Sequence, residues 1–207
     1  MDYKYWDEYY TKQKAPIEPS KFAQDIIGYL KDGKKVVELG CGNGRDAVFF
    51  AKNNIDVLAI DQSESSIKNL NDKYENNNIE FIADDFIKTN RLVESEFNYV
   101  YSRFTMHSIS EEEEDVLLQR VYDTLKEEGL LLIEVRSVKD DIYGLGKEIT
   151  RNTYVYNEHS RRFIVMDELI NKLNSVGFNI IFADENNNYA IYKDENPTVI
   201  RIIAQKQ

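Results

Sequence analysis

Two kinds of segment alternate along the chain. Residues 34–39 (KKVVEL), 55–61 (IDVLAID), 79–84 (IEFIAD), 97–103 (FNYVYSR) and 129–136 (GLLLIEVR) are short apolar runs rich in Val, Ile, Leu and aromatics. Such runs read as strands buried on both faces. Helix-compatible stretches separate them at 44–53, 63–75, briefly at 88–95, and at 110–127. Ser63 and Ser110 stand where N-caps belong, and Glu113 completes a capping box with Ser110. Strand and helix alternating at this spacing predict a doubly wound, mostly parallel α/β sheet.

Both ends depart from that pattern. Residues 1–31 predict an N-terminal extension of two helices, the second capped by Ser20. Residues 137–164 have no clean period and are rich in Tyr, Arg and Gly, which predicts an insertion after the fifth strand, lying over the sheet edge. A helix at 166–176 ends at Gly177, a C-cap residue. Strands follow at 178–185, 189–193 and 198–206, the last two joined by the turn residues DENP. This predicts about seven strands, with an antiparallel one at the C-terminal end, in a single domain over 1–207. The run EEEE at 111–114 reads as a solvated first helical turn at the positive end of the helix dipole.

Composition narrows the function. The 207 residues carry a net charge of -11, with 42% hydrophobic and 30% charged side chains. A core is available, and a general nucleic-acid binder is not expected, because phosphate backbones need clustered Lys and Arg. One cysteine, Cys41, allows no internal disulfide and fits a reducing compartment. No apolar run is long enough to span a bilayer, and the acidic, aromatic start MDYKYWDEYY is unlike a signal peptide. The expectation is a cytoplasmic monomer or homodimer.

The chemistry centres on VVELGCGNGRDAVFFA, residues 36–51, where Gly40, Gly42 and Gly44 alternate between a strand and a helix. A helix N-terminus there offers unpaired N–H groups, and glycine lets a ligand approach the backbone closely. Dinucleotide folds use G-x-G-x-x-G, but Arg45 stands where their third glycine would fall, and no G-K-[ST] follows to make a P-loop. Glu38, a carboxylate beneath the loop, suits a ligand bearing ammonium and sulfonium groups and would repel a pyrophosphate.

VVELGCGNG resembles the first motif of the class I S-adenosylmethionine-dependent methyltransferases, whose fold is Rossmann-like. The later motifs follow in order: Asp61 ends the second strand, FIADDF ends the third, FNYVYSRFTMHSI covers the fourth, and YDTLKEEGLLLIE leads into the fifth. The resemblance spans 34–136 and implies S-adenosylmethionine as cofactor and S-adenosylhomocysteine as product. It implies cofactor contacts from Glu38, the three glycines and Arg45. Asp61 and Gln62 would hold the ribose, Asp85 and the Phe86 backbone the adenine, with Asp84 the competitor for that role. Ser102 and Arg103 complete the cofactor set.

The acceptor should lie over the ends of strands four and five. His107 and His159 are candidate bases, since histidine is poised near neutral pH, and Arg136 joins them as a catalytic candidate. Tyr9, Tyr156, Arg161 and Arg162 are candidate substrate contacts. Both histidines with Glu134 match no metal-ligand spacing, so no metal is expected. Arginines gathered at one edge of an acidic protein favour a small anionic acceptor, because the guanidinium fork reads phosphate and carboxylate oxygens in pairs. The H-x-R-R run at 159–162 and the closing NPTVIRI resemble bacterial surface-polysaccharide methyltransferases, which act on capsular sugars or phosphoramidates. That resemblance implies O-methylation. A cofactor-binding protein without catalysis, and sulfur, nitrogen or metalloid acceptors, are the alternatives.

Overall fold

The protein is represented by a computed structural model that describes residues 16–74, 78–157 and 159–207. Five parallel strands come first: β1 (Lys35–Leu39), β2 (Asp56–Asp61), β3 (Ile79–Ala83), β4 (Phe97–Arg103) and β5 (Leu125–Arg136). With β9 (Phe178–Asn186) and β10 (Val199–Lys206) they form one seven-stranded sheet in the order β3-β2-β1-β4-β5-β10-β9. Only β10 is antiparallel to its neighbours, β5 and β9.

Each face of the sheet packs on its own apolar cluster. Helices α1 (Lys21–Ile26), α2 (Arg45–Lys52) and α3 (Glu64–Lys73) cover one face with Phe22, Phe50, Ile67 and Leu70. Helices α4 (Glu111–Thr124) and α5 (Met166–Val176) cover the other with Leu117, Val121, Leu169 and Leu173. The expected caps form. Ser20, Ser63 and Ser110 each accept a backbone N–H, Glu113 closes the capping box, and Gly177 ends α5 with φ 115°.

Residues 137–164 contain a small antiparallel sheet of β6 (Lys147–Thr150), β7 (Thr153–Tyr156) and β8 (His159–Arg162). It rests on the core through β8, which meets the 3-10 turn Met106–Ser108 after β4.

Three expectations are corrected. No helix forms over 88–95. The Asp85 side chain accepts the Ile87 N–H at 2.9 Å, and Arg120 takes the carbonyls of Ile87 and Thr89, so these groups serve turns instead of a helical ladder. Residues 189–193 are not a strand, because both edges of β10 are already filled. Tyr189 instead turns its hydroxyl to Asp184 and its carbonyl to Arg201. The acidic run 111–114 is not wholly solvated: Glu114 is buried and holds Arg162 and Lys172. The first N-terminal helix and Tyr9 lie outside the described residues.

Candidate active site

The glycine loop leaves β1 with φ of 71°, 55° and 71° at Gly40, Gly42 and Gly44. Backbone bonds fix it to β2: the Gly40 and Cys41 N–H groups both donate to Ile60 O, at 2.8 and 2.9 Å. Ser66 Oγ donates to Gly42 O at 2.6 Å, tying the loop to α3. At Gly40 the backbone has φ 71°, and a Cβ would stand 2.3 Å from Thr105 Cγ2, so glycine is strongly favoured there.

Asp61, at the end of β2, accepts the Gly42 N–H at 2.7 Å and the Ser63 N–H at 2.9 Å, one on each carboxylate oxygen. Burial raises its pKa, opposed by the N–H groups of Ser63 and Gly42. A carboxylate has about four acceptor sites, so both oxygens keep capacity for a further donor. Gln62 follows it, half-buried. Glu38 lies opposite Ala59 and Tyr101 in the sheet, is 4% exposed, and its Oε2 has no hydrogen-bond partner among the described residues. Burial pushes its carboxyl well above the usual range, reinforced by Asp46 and Asp61 and opposed by Arg45 and Arg103. An unpaired buried carboxyl oxygen under a glycine loop is what a cationic ligand group would complete. The residues present therefore fit S-adenosylmethionine.

At the end of β3, Asp84 Oδ1 accepts the Asp85 N–H at 2.8 Å. Asp85 Oδ2 lies 3.7 Å from Lys88 Nζ, and the Phe86 ring is buried near Gly40. On β4, the Ser102 hydroxyl bonds that of Thr105, and Arg103 pairs with Glu134 at 2.8 Å.

The segment before α1 crosses this loop, a contact that sequence reading misses. Asn43 Nδ2 donates to Pro16 O at 2.8 Å, and Arg45 Nη1 to Glu18 O at 3.4 Å. Asp46 accepts the Ser20 N–H at 2.6 Å, its hydroxyl at 2.7 Å and the Tyr101 hydroxyl at 2.8 Å. Arg45, expected on the cofactor, thus turns to this strap in the structure. An acid in a first helical turn is so ordinary that Asp46 gives no signal in the sequence.

On the acceptor side the structure brings His107 and His159 together, ring centroids 6.1 Å apart. Burial lowers the pKa of His107 well below its usual value, helped by His159, Arg136, Arg161 and Arg162. Burial, with Arg161 and Arg136, pushes His159 to about 3. Arg136 pairs with Asp140 at 2.8 Å and with the exposed Glu195 at 3.2 Å. Arg161 lies on β8 and donates to Tyr156 O at 3.4 Å, with the Tyr156 ring partly exposed. Arg162, expected on the substrate, instead bolts β8 to the core: it donates to Ile109 O at 2.9 Å, to Met106 O at 3.2 Å and to Glu114. Glu134, considered as a metal ligand, lies between Arg103 and Arg201. No cluster of three or more metal-ligating side chains occurs among the described residues.

Residues 36–129, the segment carrying the glycine loop, match the family described as a methyltransferase domain. The match covers less than half of the chain and includes the glycine loop and strands β1 to β4. A carboxy-S-adenosyl-L-methionine synthase of Nautilia profundicola is 28% identical over 122 residues, 56% of this chain and 51% of that protein. Phosphoethanolamine N-methyltransferase 1 of Zea mays is 34% identical over 104 residues, 48% of this chain and 20% of that protein. The matched part thus spans about half of one relative and a fifth of the other. Among solved structures, the 1,6-didemethyltoxoflavin-N1-methyltransferase of Burkholderia thailandensis, with bound S-adenosylhomocysteine, superposes with a TM-score of 0.74. It is 18% identical and covers 100% of this chain and 84% of that one, a likeness of fold. Among the described residues, no helix is long and apolar enough to cross a membrane.

Proposed function

We propose that the chain transfers a methyl group from S-adenosylmethionine to an oxygen of a small anionic acceptor. The acceptor class would be a phosphate- or phosphoramidate-bearing compound or a nucleotide-activated sugar, as in surface-polysaccharide assembly. The observation that carries this reading is the His107–His159 pair, ring centroids 6.1 Å apart, with Arg136 and Arg161 near enough to lower both pKa values.

The cofactor supplies an electrophilic methyl group on a sulfonium. The chain's work is to orient the partners and exclude water. Asp61 is assigned to the ribose hydroxyls, Asp85 and the Phe86 backbone to the adenine, and Glu38 to the amino-acid end. A hydroxyl or amine acceptor would also need a base to remove its proton. The two histidines are poorly suited to that task, because their burial among arginines makes them weak bases. An anionic oxygen needs no base, and Arg136 and Arg161, which disfavour imidazolium, favour an anion. Arg136 can exchange the exposed Glu195 for such a group, and Arg161 lies on β8, which also carries His159. The maize relative's name, a phosphoethanolamine methyltransferase, supports a phosphate-bearing acceptor but not the atom methylated.

The test is S-adenosylhomocysteine release on matched panels of small molecules, phosphorylated or phosphoramidate-bearing in one and neutral in the other. Turnover confined to the anionic panel is expected, and equal turnover of neutral amines overturns the reading. Cofactor binding without turnover on either panel would leave a cofactor-holding protein. A mass gain on the cofactor itself would move the reading towards the carboxy-S-adenosylmethionine synthases.

A further inference from the structure

A row of alternating charges crosses the carboxyl edge of the sheet. Arg103 on β4 stands opposite Glu134 on β5, which stands opposite Arg201 on β10. Glu38 on β1 stands opposite Tyr101, two residues before Arg103, so all four side chains share one face. That face is the one α1 and α2 cover.

The two arginines differ in how far the protein satisfies them. Arg201 donates to Glu134 Oε2 at 2.7 Å, Asp25 Oδ2 at 2.7 Å and Tyr189 O at 2.9 Å. Its guanidinium carbon also lies 4.1 Å from the Tyr189 ring centroid and 4.9 Å from that of Phe22. Arg201 is saturated, as Arg162 is. Arg103 is not: its Nε lies 2.8 Å from Glu134 Oε1 without hydrogen-bond geometry, its guanidinium carbon is 4.4 Å from the Phe104 ring centroid, and neither Nη donates to any described residue. Glu38 is the complementary case, with Oε2 buried and unpartnered. Two incompletely satisfied groups of opposite sign thus flank the glycine loop on adjacent strands without forming an ion pair. Incomplete satisfaction of buried polar groups is costly and points to a ligand that completes them.

We propose that Arg103 receives the carboxylate of the cofactor's amino-acid end, with Glu134 and Arg201 as positioning residues, while Glu38 faces the ammonium. The proposal rests on the glycine loop being the S-adenosylmethionine site. The guanidinium fork keeps its two Nη groups for a bidentate carboxylate while Glu134 holds its Nε side. Glu134 is in turn held by Arg201, which α1 clamps through Asp25. Orientation of the receptor thus depends on a strand far from the glycine loop in sequence.

Calorimetric titration with two ligands tests this without turnover. One is S-adenosylhomocysteine; the other is S-adenosyl-3-thiopropylamine, its decarboxylated form, which keeps the amine. The wild type should bind the first about 10- to 100-fold more tightly, the range of a charge-assisted pair. Arg103→Met should erase that preference, leaving the decarboxylated ligand's Kd within about threefold, and Arg103→Lys should keep part of it. Glu134→Gln should reduce the preference less than Arg103→Met does. Equal wild-type affinities overturn the proposal even if no variant folds, and so does an Arg103→Met variant that weakens both ligands alike. A wild type that binds neither ligand removes the cofactor reading itself, a result distinct from equal binding of both.

Discussion

His107 and His159 meet edge to face, ring planes at 82°, where the turn after β4 supports β8. Burial among arginines keeps both uncharged. Below their usual value of 6.5 the unfolded chain takes up protons at these positions and the folded one does not, so stability rises with pH there and falls as pH drops. Each histidine contributes a slope of up to about 1.4 kcal/mol per pH unit. For His159 this persists until pH nears 3, its folded value. Urea unfolding at pH 7, 6 and 5 should show the decline, and His107→Asn with His159→Gln should flatten it.

Arg162→Met should cost about 3 kcal/mol, because it leaves Glu114 buried with Lys172 alone and deprives two carbonyls of a donor. Denaturant unfolding measures the loss. Adding Glu114→Gln should recover part of it, since the uncompensated charge goes as well. S-adenosylhomocysteine affinity should stay at the wild-type level.

Gly40→Ala should destabilise by about 2 kcal/mol through left-handed backbone strain and the collision with Thr105 Cγ2. Thr105→Ser deletes that methyl group while keeping the hydroxyl that bonds Ser102. In the Thr105→Ser background the cost of Gly40→Ala should therefore shrink, as read by thermal melting.

Asp46→Asn removes an acceptor from two hydroxyls, Ser20 and Tyr101, and should release the strap. A loss of about 1–3 kcal/mol is expected. Hydrogen exchange at Ala23 and Gln24, at the start of α1, should speed up more than exchange in β1 or β4. Uniform acceleration would mean that Asp46 stabilises the whole fold instead.

The parallel core is legible in the sequence because β1, β2, β4 and β5 are buried on both faces and leave unbroken apolar runs. The insertion sheet is not, because β6 is exposed at every residue and β7 is nowhere fully buried, so neither leaves an apolar run. The glycine loop announces itself through spacing. The ladder of Arg103, Glu134 and Arg201 becomes visible only once register aligns three strands that are distant in the chain. Among four identical glutamates, nothing local says that Glu114 faces inward, since Arg162 and Lys172 arrive much later. Nothing local in the sequence distinguishes Arg162, which pairs with the buried Glu114, from its neighbour Arg161 on the same strand.

Strand β10 follows every other strand of this sheet in the chain, yet it lies inside the sheet, between β5 and β9. A growing chain therefore completes its glycine loop and its first five strands while the flank of β5 still lacks a partner. Until β10 emerges, Leu131 and Ile133 on β5 have no neighbour on that side, and β9 has nothing to join. The vulnerable moment for aggregation thus belongs to synthesis and not to the folded sheet. A chain interrupted just before β10 would be stickier than one stopped much earlier.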